Sequence, residues 1–439
     1  MRIIIAGMDG YLGWPLAQHL IQRGHEVAGA DALLRRSWVK EMGSISAIPI
    51  ISLEERVRAL RDYADQKVPF WEGDLRDYEL VDRMLREFEP EAIVHLAECP
   101  SAPYSMIDRE HTMFVQMNNL TTTFNLLFAM RKIVPNAHLL KLGTMGEYGT
   151  PDIDIPEGFF EVEYRGRKDL LPFPRQAPSW YHWSKVHGSN NIMFASKIWG
   201  LRATDVMQGV VFGTRIDGIA DDPRFRTRLD FDQAFGTAIN RFSCQAVIEH
   251  RLTPYGAGGQ VRGFLPLRDS MQCLTLGLEN PPAPGEYRVF NQFEQTYSIR
   301  ELAELVKNEA TAFGLRVEVA PVDNPRAAIE RHDHHYNPDN QHLLDLGYQP
   351  TGDLAGEVRI MLEDLLPYRE RIAQHQHALL PDVHWDGARR PVEFIIDVGR
   401  ETRLGRGMGG ETTVASGSSV PTPRAAWSVT RQGSQEKIQ

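Results

Sequence analysis

The hydrophobic positions of the chain alternate between short continuous runs and longer helical patterns. Ile3, Ile4 and Ile5 belong to an apolar run over residues 1–6 that ends in a turn. Such a run is typical of a strand buried on both faces of a parallel sheet. Similar alternation through the first half predicts a doubly wound α/β fold of the Rossmann type. Strands are predicted at 25–30, 92–97 and 138–143, and helices at 14–23 and 114–131.

The second half of the chain is expected to hold substrate. We assign residues 1–205 mainly to a nucleotide-binding domain of the Rossmann type. Residues 206–400 are assigned mainly to a smaller mixed α/β substrate region, parts of which return to the core of the first domain. Residues 151–178 show no regular pattern and are expected to lie over the site. Residues 401–439 are rich in Gly, Ser, Thr and Pro, which predicts a disordered tail. Later helices are predicted at 298–312 and 355–374.

Composition excludes several classes of partner. The chain has 439 residues, a net charge of −10 and no concentrated Lys/Arg run, which argues against nucleic-acid binding. No stretch approaches eighteen apolar residues, so no membrane span is expected, and a strand beginning at Met1 predicts no leader peptide. Cys99, Cys244 and Cys273 fit neither a metal clip nor a disulfide framework, so we expect a reducing cytoplasm.

The first strand is followed by a glycine turn. Gly7, Gly10 and Gly13 have a spacing that lets backbone approach a pyrophosphate at the N-terminus of the next helix. Asp31, twenty-four positions after Gly7, ends the second predicted strand, where a carboxylate suits a ribose diol and repels a 2′-phosphate. The turn therefore predicts NAD rather than NADP. Arg35 and Arg36 follow Asp31, and arginines there could accept the phosphate instead.

A triad of residues suited to proton transfer follows this glycine turn at the spacing expected for a shared active site. Thr144 ends a predicted strand, and Tyr181 and Lys185 lie four residues apart on one helix face. The ammonium is expected to lower the pKa of the phenol, so that the phenolate can act as a base near neutral pH. This arrangement resembles that of short-chain dehydrogenases, which implies that the Thr hydroxyl contacts the same substrate oxygen.

Long unbroken segments of this chain resemble the UDP-sulfoquinovose synthase family of the extended short-chain dehydrogenase/reductase (epimerase/dehydratase) superfamily. The resemblance covers about residues 1–395 and implies NAD bound throughout the cycle, a UDP-hexose substrate and a homodimer. The segments that carry it are residues 7–11, Ser101–Arg109, Leu142–Pro156, Tyr181–His187, Asn240–Phe242, Gly258–Gly263, Phe290–Phe293 and Asn324–Arg326.

The resemblance also implies which residues meet the ligands. Asp74 is expected beside the adenine ring. The implied cofactor-binding residues are Gly7, Asp9, Gly10, Tyr11, Leu12, Gly13, Asp31, Arg35, Arg36, Asp74, Leu75, Leu96, Asn118, Tyr181, Lys185 and Gln208. The implied substrate-binding residues are Ser101, Tyr104, Met145, Gln208, Thr237, Asn240, Arg241, Tyr255, Gln260, Arg262 and Arg326.

The implied reaction borrows a hydride and returns it. Tyr181 takes the proton of the sugar 4-hydroxyl, hydride leaves C4 for NAD, and the 4-ketone acidifies C5, so that water is lost across C5 and C6. In the resembled family sulfite then adds at C6 and the hydride returns. Many nucleotide-sugar 4,6-dehydratases carry Asp-Glu after the Thr, where this chain has Met145 and Gly146. Glu147 or His182 is the candidate for the C5 and C6 protons, and the sequence does not choose between them.

One departure from the family keeps other reactions open. Cys99 and Pro100 stand where the family has Gln-Arg, and a proline offers no donor to an oxyanion. A 5,6-dehydratase that releases an unsaturated sugar or nucleoside without sulfite is therefore an alternative, as is a UDP-sugar 4-epimerase. A non-catalytic NAD sensor is disfavoured by the intact triad. Cys99 itself is expected to be an apolar filler rather than a reactive thiol.

Histidines of the C-terminal part invite a metal interpretation that we do not adopt. His332, His334 and His335 lie beside an aspartate, but no second cluster has ligand spacing and the chemistry above needs no metal. We interpret them as a polar loop near the substrate. The same interpretation applies to His375, His377 and His384.

Overall fold

A sheet of seven parallel strands forms the centre of the described part of the chain, in the order β3-β2-β1-β4-β5-β8-β11. The computed structural model describes residues 1–64, 66–217, 222–330 and 334–395, so the predicted tail lies outside the described residues. The strands are β1 (Arg2–Ala6), β2 (Glu26–Asp31), β3 (Phe70–Glu72), β4 (Ala92–His95), β5 (His138–Thr144), β6 (Phe159–Tyr164), β7 (Arg167–Pro172), β8 (Arg202–Gln208), β9 (Val210–Phe212), β10 (Val261–Pro266), β11 (Tyr287–Gln292) and β12 (Gln295–Ser298).

Helices cover both faces of this sheet, because successive strand residues point to opposite sides. Ile3 and Ile5 pack into one hydrophobic layer, whereas Ile4 and Ala6 pack into the other. The helices are α1 (Gly13–Gln22), α2 (Leu34–Glu41), α3 (Leu53–Ala64), α4 (Tyr78–Phe88), α5 (Arg109–Ile133), α6 (Trp180–Trp199), α7 (Ala238–Val247), α8 (Leu267–Glu279), α9 (Ile299–Ala312), α10 (Gln341–Asp345), α11 (Leu354–Leu365) and α12 (Arg369–Ala373).

A smaller mixed sheet lies in the second half. In the described residues it has the order β12-β10-β9, with β10 parallel to β9 and antiparallel to β12. Its apolar residues form a second core with helices α7, α9 and α11. The predicted fold class is confirmed. Residues Met1–Ile395 form one compact unit, and the division near residue 205 stays a prediction.

Two elements differ from the sequence prediction for local reasons. The segment 151–178, expected to be irregular, contains the β6–β7 hairpin, whose turn has positive φ at Arg165 and Gly166. Two consecutive positive φ values are typical of the tight turns that suit hairpin twist. The helix expected at 355–374 is interrupted by a 3₁₀ turn at Leu366–Tyr368, because Pro367 cannot continue the α-helical hydrogen bonding.

Other boundaries shift by a few residues. Helix α5 begins at Arg109 rather than at 114, because the Asp108 side chain accepts the N–H of His111 and caps the helix there. Strand β4 ends at His95, two residues before the predicted end. Among the described residues, no helix is long and apolar enough to cross a membrane.

Candidate active site

Two connected cavities open at the carboxyl ends of the central strands, where β1 and β4 continue in opposite directions across the sheet. Such a switch point is where doubly wound sheets bind their ligands. The cofactor cavity, of about 390 Å³, lies at the glycine turn. The outer cavity, of about 460 Å³, extends toward the small mixed sheet. Both are lined by Thr144, His182, Gln208, Thr237 and Arg326, so these residues lie at their junction.

The glycine turn forms the floor of the cofactor cavity. Gly7 has φ of +93°, and a Cβ there would lie 2.8 Å from the backbone of Leu96. A Cβ at Gly13 would overlap the carbonyl of Gly7, so side chains are excluded at both positions. Helix α1 begins at Gly13, which directs its first N–H groups toward the cavity.

Asp31 lines the same cavity at the end of β2. Its carboxylate accepts the N–H of Asp9 at 2.9 Å and that of Leu33 at 2.7 Å. Burial, with a smaller contribution from the charge of Asp9, raises the pKa of Asp31 to about 6. The carboxylate is therefore charged at neutral pH and available to a pair of ribose hydroxyls.

The two arginines that weakened the NAD prediction are both bound to carboxylates. Arg36 donates to both oxygens of Asp9, at 2.7 and 2.8 Å. Arg35 donates to Asp230 at 2.8 Å and stacks 4.1 Å from the centre of the Phe235 ring. Arg36 and Asp9 line neither cavity, contrary to the expectation that they bind cofactor, because they are paired with each other behind the turn.

The predicted triad lies where the two cavities meet. Thr144 ends β5, and helix α6 carries Tyr181 and Lys185 into the cofactor cavity. Ser179 caps α6 by accepting the N–H of His182 at 3.2 Å, which sets the direction of the helix at its first turn. The backbone N–H of Tyr181 donates to Ser105 at 3.0 Å, so the tyrosine is held from both sides.

Lys185 has an acidic partner that the sequence interpretation missed. Its ammonium contacts the carboxylate of Glu98 and donates to the Leu142 carbonyl at 2.6 Å. Burial, and next the charges of Glu98 and Glu147, raise the pKa of Tyr181. This corrects the expectation that Lys185 lowers the pKa of the phenol. Lys185 is ion-paired with Glu98, and the charge of Glu98 itself raises the pKa of the phenol.

Glu147 and His182, which the sequence left as alternatives, lie in different surroundings. Glu147 is fully buried and lines neither cavity. Its carboxylate is bound by Lys141 at 3.4 Å, Arg175 at 3.2 Å and Ser189 at 3.0 Å. His182 lines both cavities. The structure therefore brings His182 to the site and does not bring Glu147 there.

The absence of a side chain at Gly146 makes room for this histidine. A Cβ at Gly146 would overlap the imidazole at Nε2, while Nδ1 hydrogen-bonds Ser179 at 2.8 Å. Burial, followed by the charges of Arg326 and Arg262, lowers the pKa of His182 to about 3. The ring is therefore neutral at physiological pH, and it occupies space that the second acid of an Asp-Glu pair would need.

Three arginines line the outer cavity with different partners. Arg241 contacts the hydroxyl of Tyr255, and Arg262 donates to Glu330 at 2.6 Å. Arg326 lies 4.9 Å from the centre of the Trp385 ring. It has no acidic partner among the described residues, and its buried Nε is without a hydrogen-bond partner there. Arg241 likewise has an unpaired Nε and no acidic partner among the described residues, but of the three arginines Arg326 alone lines both cavities, so it is the cation best placed to receive an anion at the junction.

Most of the expected ligand-binding residues line the cavities. The cofactor cavity is lined by Gly7, Gly10, Tyr11, Leu12, Gly13, Asp31, Arg35, Asp74, Leu75, Leu96, Asn118, Tyr181, Lys185 and Gln208, and also by Asn240. The outer cavity is lined by Met145, Gln208, Thr237, Arg241, Tyr255, Gln260, Arg262 and Arg326.

Ser101 and Tyr104 are exceptions, since they line neither cavity. The Ser101 hydroxyl donates to the carbonyl of Ala234 at 2.5 Å, and that of Tyr104 donates to Glu41 at 2.7 Å. The segment instead holds the loop beside the site, because Ser101 binds the backbone of Ala234, which lines both cavities. Tyr104 also packs against Trp38.

The departure at residues 99–100 lies at the cavity wall. Pro100 lines the cofactor cavity, whereas Cys99 is fully buried. Burial raises the pKa of the Cys99 thiol to about 12, and its role as an apolar filler stays a prediction. The backbone of Cys99 is held by the side chain of Asn119, which accepts its N–H at 2.7 Å.

Comparison with known proteins identifies the family. Residues 3–291 match the model of the NAD dependent epimerase/dehydratase family. The chain is 45% identical over 386 residues to UDP-sulfoquinovose synthase of Sulfolobus acidocaldarius, covering 88% of this chain and 98% of that one. It is 44% identical over 384 residues to the chloroplastic UDP-sulfoquinovose synthase of Spinacia oleracea, covering 88% and 79%.

This chain belongs to the NAD dependent epimerase/dehydratase family. The resemblance stated from sequence is confirmed by relatives at 44–45% identity. Solved structures agree on the fold. UDP-glucose 4-epimerase of Thermotoga maritima superimposes with a TM-score of 0.61 at 18% identity, covering 85% of this chain and 100% of that one. The enzyme of Thermus thermophilus in complex with NAD gives 0.57 at 23% identity, covering 83% and 99%.

The cofactor of this family member is NAD, as predicted. The residues present fit it, because the glycine turn excludes side chains where backbone must approach a pyrophosphate, and Asp31 offers a charged acceptor to the adenosine ribose. When bound, NAD supplies a reversible acceptor of hydride.

Three cavity features were absent from the sequence interpretation. Glu98 has no motif around it and follows β4 by three residues. Trp385 and Pro178 reach the outer cavity from distant segments, joined by a hydrogen bond from the indole N–H to the Pro178 carbonyl at 2.8 Å. An acid just after a strand's carboxyl end was the available signal for Glu98. No local signal exists for the other two.

The predicted absence of a metal stays a prediction. In the described ranges no group of three or more His, Cys, Asp or Glu could hold a metal ion, but His332 lies outside them. His335 pairs with Asp154 at 2.7 Å, and His334 lies 3.1 Å from Arg262 at the outer cavity.

Replacing Asp31 should weaken NAD binding in a pH-dependent way. Above pH 6 the charged carboxylate accepts ribose hydroxyls, and below it the protonated group loses that charge, so wild-type affinity should fall as pH drops from 7.5 to 5. Asp31→Asn should lose about ten-fold in NAD affinity at pH 7.5 and flatten this dependence. Calorimetric titration with NAD measures both.

Asp232→Asn is the matched control. Burial also raises the pKa of Asp232 to about 6, but Asp232 lines neither cavity. Its variant should keep the wild-type pH dependence. Unchanged NAD affinity in Asp31→Asn would contradict the assignment of this carboxylate to the ribose.

Proposed function

We propose that this enzyme converts UDP-glucose and sulfite into UDP-sulfoquinovose, using NAD as a recycled hydride acceptor. The observation that carries the proposal is the junction of the two cavities, where Thr144 and His182 adjoin Tyr181 and Lys185 of the cofactor cavity. The identity of 44–45% to two UDP-sulfoquinovose synthases supports the same reaction.

The first step removes the hydrogen atoms of the sugar carbinol. Tyr181 takes the proton of the 4-hydroxyl while Thr144 hydrogen-bonds the same oxygen, and the C4 hydride goes to NAD. The acceptor of this proton is the phenolate form of Tyr181. Because the pKa of the phenol is raised in the ligand-free site, this form must be favoured once NAD, whose oxidised ring would be a cation, is bound. Lys185 lies 6.0 Å from the centre of the tyrosine ring and is paired there with Glu98.

The second step is loss of water, and we assign its proton transfers to His182. With Nδ1–H donating to Ser179, the lone pair of Nε2 faces the junction and takes the C5 proton that the 4-ketone has acidified. The resulting imidazolium is a strong acid, because its surroundings lower the pKa of His182. It returns the proton to the departing 6-hydroxyl, water leaves, and a 5,6-alkene conjugated with the ketone remains.

The third step adds sulfur and restores the cofactor. Bisulfite gives its proton to His182 and the sulfur lone pair bonds to C6, His182 passes that proton to C5, hydride returns to C4, and Tyr181 gives its proton back to the 4-oxygen. An anion must be held near C6 for this step. Pro100 cannot donate to it, so we assign this role to Arg326, whose guanidinium lacks an acidic partner among the described residues and lines both cavities.

A second candidate function omits the sulfur. Pro100 lines the cofactor cavity where the resembled family has Arg, which favours release of the unsaturated sugar or nucleoside after the hydride has returned. A 4-epimerase, the remaining alternative, would turn the 4-keto sugar over in the site and lose no water. Its support is weaker, because the similarity to 4-epimerases is 30% over 151 residues or 25% over 319 residues, against 44–45% over 384–386 residues for the two synthases.

Product analysis separates these reactions. The enzyme is incubated with NAD and UDP-glucose, with and without sulfite, and the sugar nucleotides are analysed by mass spectrometry. We expect a sulfonated product that forms only with sulfite. Sulfite-independent formation of a product lighter by one water would replace the proposal by the dehydratase, and an isomer of unchanged mass would replace it by the epimerase.

Tyr181→Phe should abolish turnover while NAD remains bound. The variant removes the hydroxyl that accepts the carbinol proton and leaves the glycine turn and Asp31 intact, so activity should fall by at least about 100-fold. Turnover and the NAD released on denaturation are both measured. Tyr348→Phe is the control, because its hydroxyl donates to Asp269 away from both cavities. Normal activity in Tyr181→Phe would refute the assigned base.

We also propose that the enzyme is a homodimer joined through α5 and α6. These helices pack side by side and share an exposed apolar face. Met113, Met117, Phe124 and Phe128 recur at intervals of four and seven on α5, so they lie on one side of the helix. Phe194 and Ile198 continue the face on α6, and Phe194 is 61% exposed. A face of this kind suits a second copy related by two-fold symmetry.

A cytoplasmic location is proposed with it. The support is the sparse cysteine content, since Cys99, Cys244 and Cys273 are all buried and free. Small numbers of unpaired thiols are usual in reducing compartments.

Light scattering coupled to size exclusion tests the dimer. The wild type should have about twice the chain mass of 49.8 kDa. Met117→Glu combined with Phe194→Glu places like charges on the apolar face and should give the monomer mass. Leu170→Glu, on the 66% exposed Leu170 of the β6–β7 hairpin, should remain dimeric. A monomeric wild type, or a dimeric double variant, would contradict this interface.

A further inference from the structure

An unpaired carboxylate oxygen lies at the reactive end of the cofactor cavity. The side chain of Glu98 is 1% exposed, and one of its oxygens contacts the ammonium of Lys185. Its other oxygen is buried and has no hydrogen-bond partner among the described residues. Leaving such an atom unpaired costs free energy, which indicates a partner that arrives with the ligand.

The position of Glu98 identifies which part of the cofactor it faces. Asp31 and the glycine turn take the adenosine and pyrophosphate end of NAD, so the nicotinamide end reaches Thr144 and Tyr181. Glu98 lines this second end together with Lys185. This placement rests on the proposed role of Tyr181, because hydride and proton must leave neighbouring atoms of one carbinol.

The two forms of the cofactor differ in charge at that end. The oxidised nicotinamide is a cation and the reduced ring is neutral. A buried ammonium alone would repel the oxidised ring strongly, because charges interact more strongly away from water. Glu98 compensates it. The neighbouring His95 adds no charge, since burial lowers its pKa to about 4.

We propose that Glu98 is a positioning residue that neutralises Lys185 beside the nicotinamide and so favours the oxidised cofactor over the reduced one. An enzyme that returns its hydride in every cycle must begin each turnover with oxidised NAD. The carboxylate keeps the resting cofactor in that form. Its second oxygen accepts a hydrogen bond from a donor of the nicotinamide riboside.

Competition between the two cofactor forms tests this without any sugar. Holoenzyme is equilibrated with an equimolar excess of NAD⁺ and NADH until the bound composition is constant. Free cofactor is then removed, the protein is denatured, and both forms are quantified. Glu98→Gln should lower the bound NAD⁺ to NADH ratio roughly ten-fold relative to wild type, because Lys185 is then unpaired.

A double variant distinguishes charge from shape. Lys185→Met should raise the ratio by leaving Glu98 unpaired, and Glu98→Gln combined with Lys185→Met should return it to within about three-fold of wild type, since neither charge remains. Glu157→Gln is the matched control. Glu157 is also buried but lines neither cavity, so its variant should keep the wild-type ratio.

The contrary results are equally defined. The proposal would be overturned if Glu98→Gln folds and keeps the wild-type ratio of bound NAD⁺ to NADH. It would also be overturned if the ratio in the double variant differs from wild type as much as it does in Glu98→Gln. Should Glu98→Gln fail to fold, the comparison of Lys185→Met with the double variant decides, because equal ratios in those two would refute charge compensation. The measurement requires neither sugar nor sulfite, so its result is independent of whether the proposed sulfonation is correct.

Discussion

Two buried lysines, one on the central sheet and one on helix α6, each hydrogen-bond a backbone carbonyl of the other element. Lys141 of β5 donates to the carbonyl of Lys185 at 3.1 Å, while Lys185 of α6 donates to the carbonyl of Leu142 at 2.6 Å. Each ammonium also has a buried carboxylate, Glu147 for the first and Glu98 for the second. Burial of a charge is tolerated only with such partners. This requirement fixes the strand, the helix and the position of Tyr181 together.

The same arrangement separates acids that hold the structure from groups that face the ligands. Glu147 is buried between Lys141 and Arg175, so it lines neither cavity. His182 lines both cavities, because Gly146 leaves space for its ring. Packing therefore decides that His182, and not Glu147, is available for the proton transfers of the elimination. The sequence could not decide this, because the two residues lie within forty positions of each other.

Charge compensation recurs at the adenosine end of the cofactor cavity. Arg36 shares Asp9 with Arg56, and Arg35 shares Asp230 with Arg228, so the arginines next to Asp31 are held by carboxylates. At the opposite end Glu98 has the corresponding role toward Lys185. Arg326 lines both cavities and has no acidic partner in the described part of the chain, so it is the cation that faces the junction.

The sequence by itself determined the fold class, NAD as cofactor, and the order Thr144, Tyr181, Lys185, because apolar runs, glycine spacing and an i, i+4 pair depend on local geometry. The family resemblance placed most cavity residues. Only the tertiary structure decided that Asp9 and Arg36 pair with each other, that Ser101 and Tyr104 brace a loop, and that Glu147 is buried. These outcomes, like the Glu98–Lys185 contact, join residues from separate segments. Their charges are set by burial and by neighbours that no local pattern encodes.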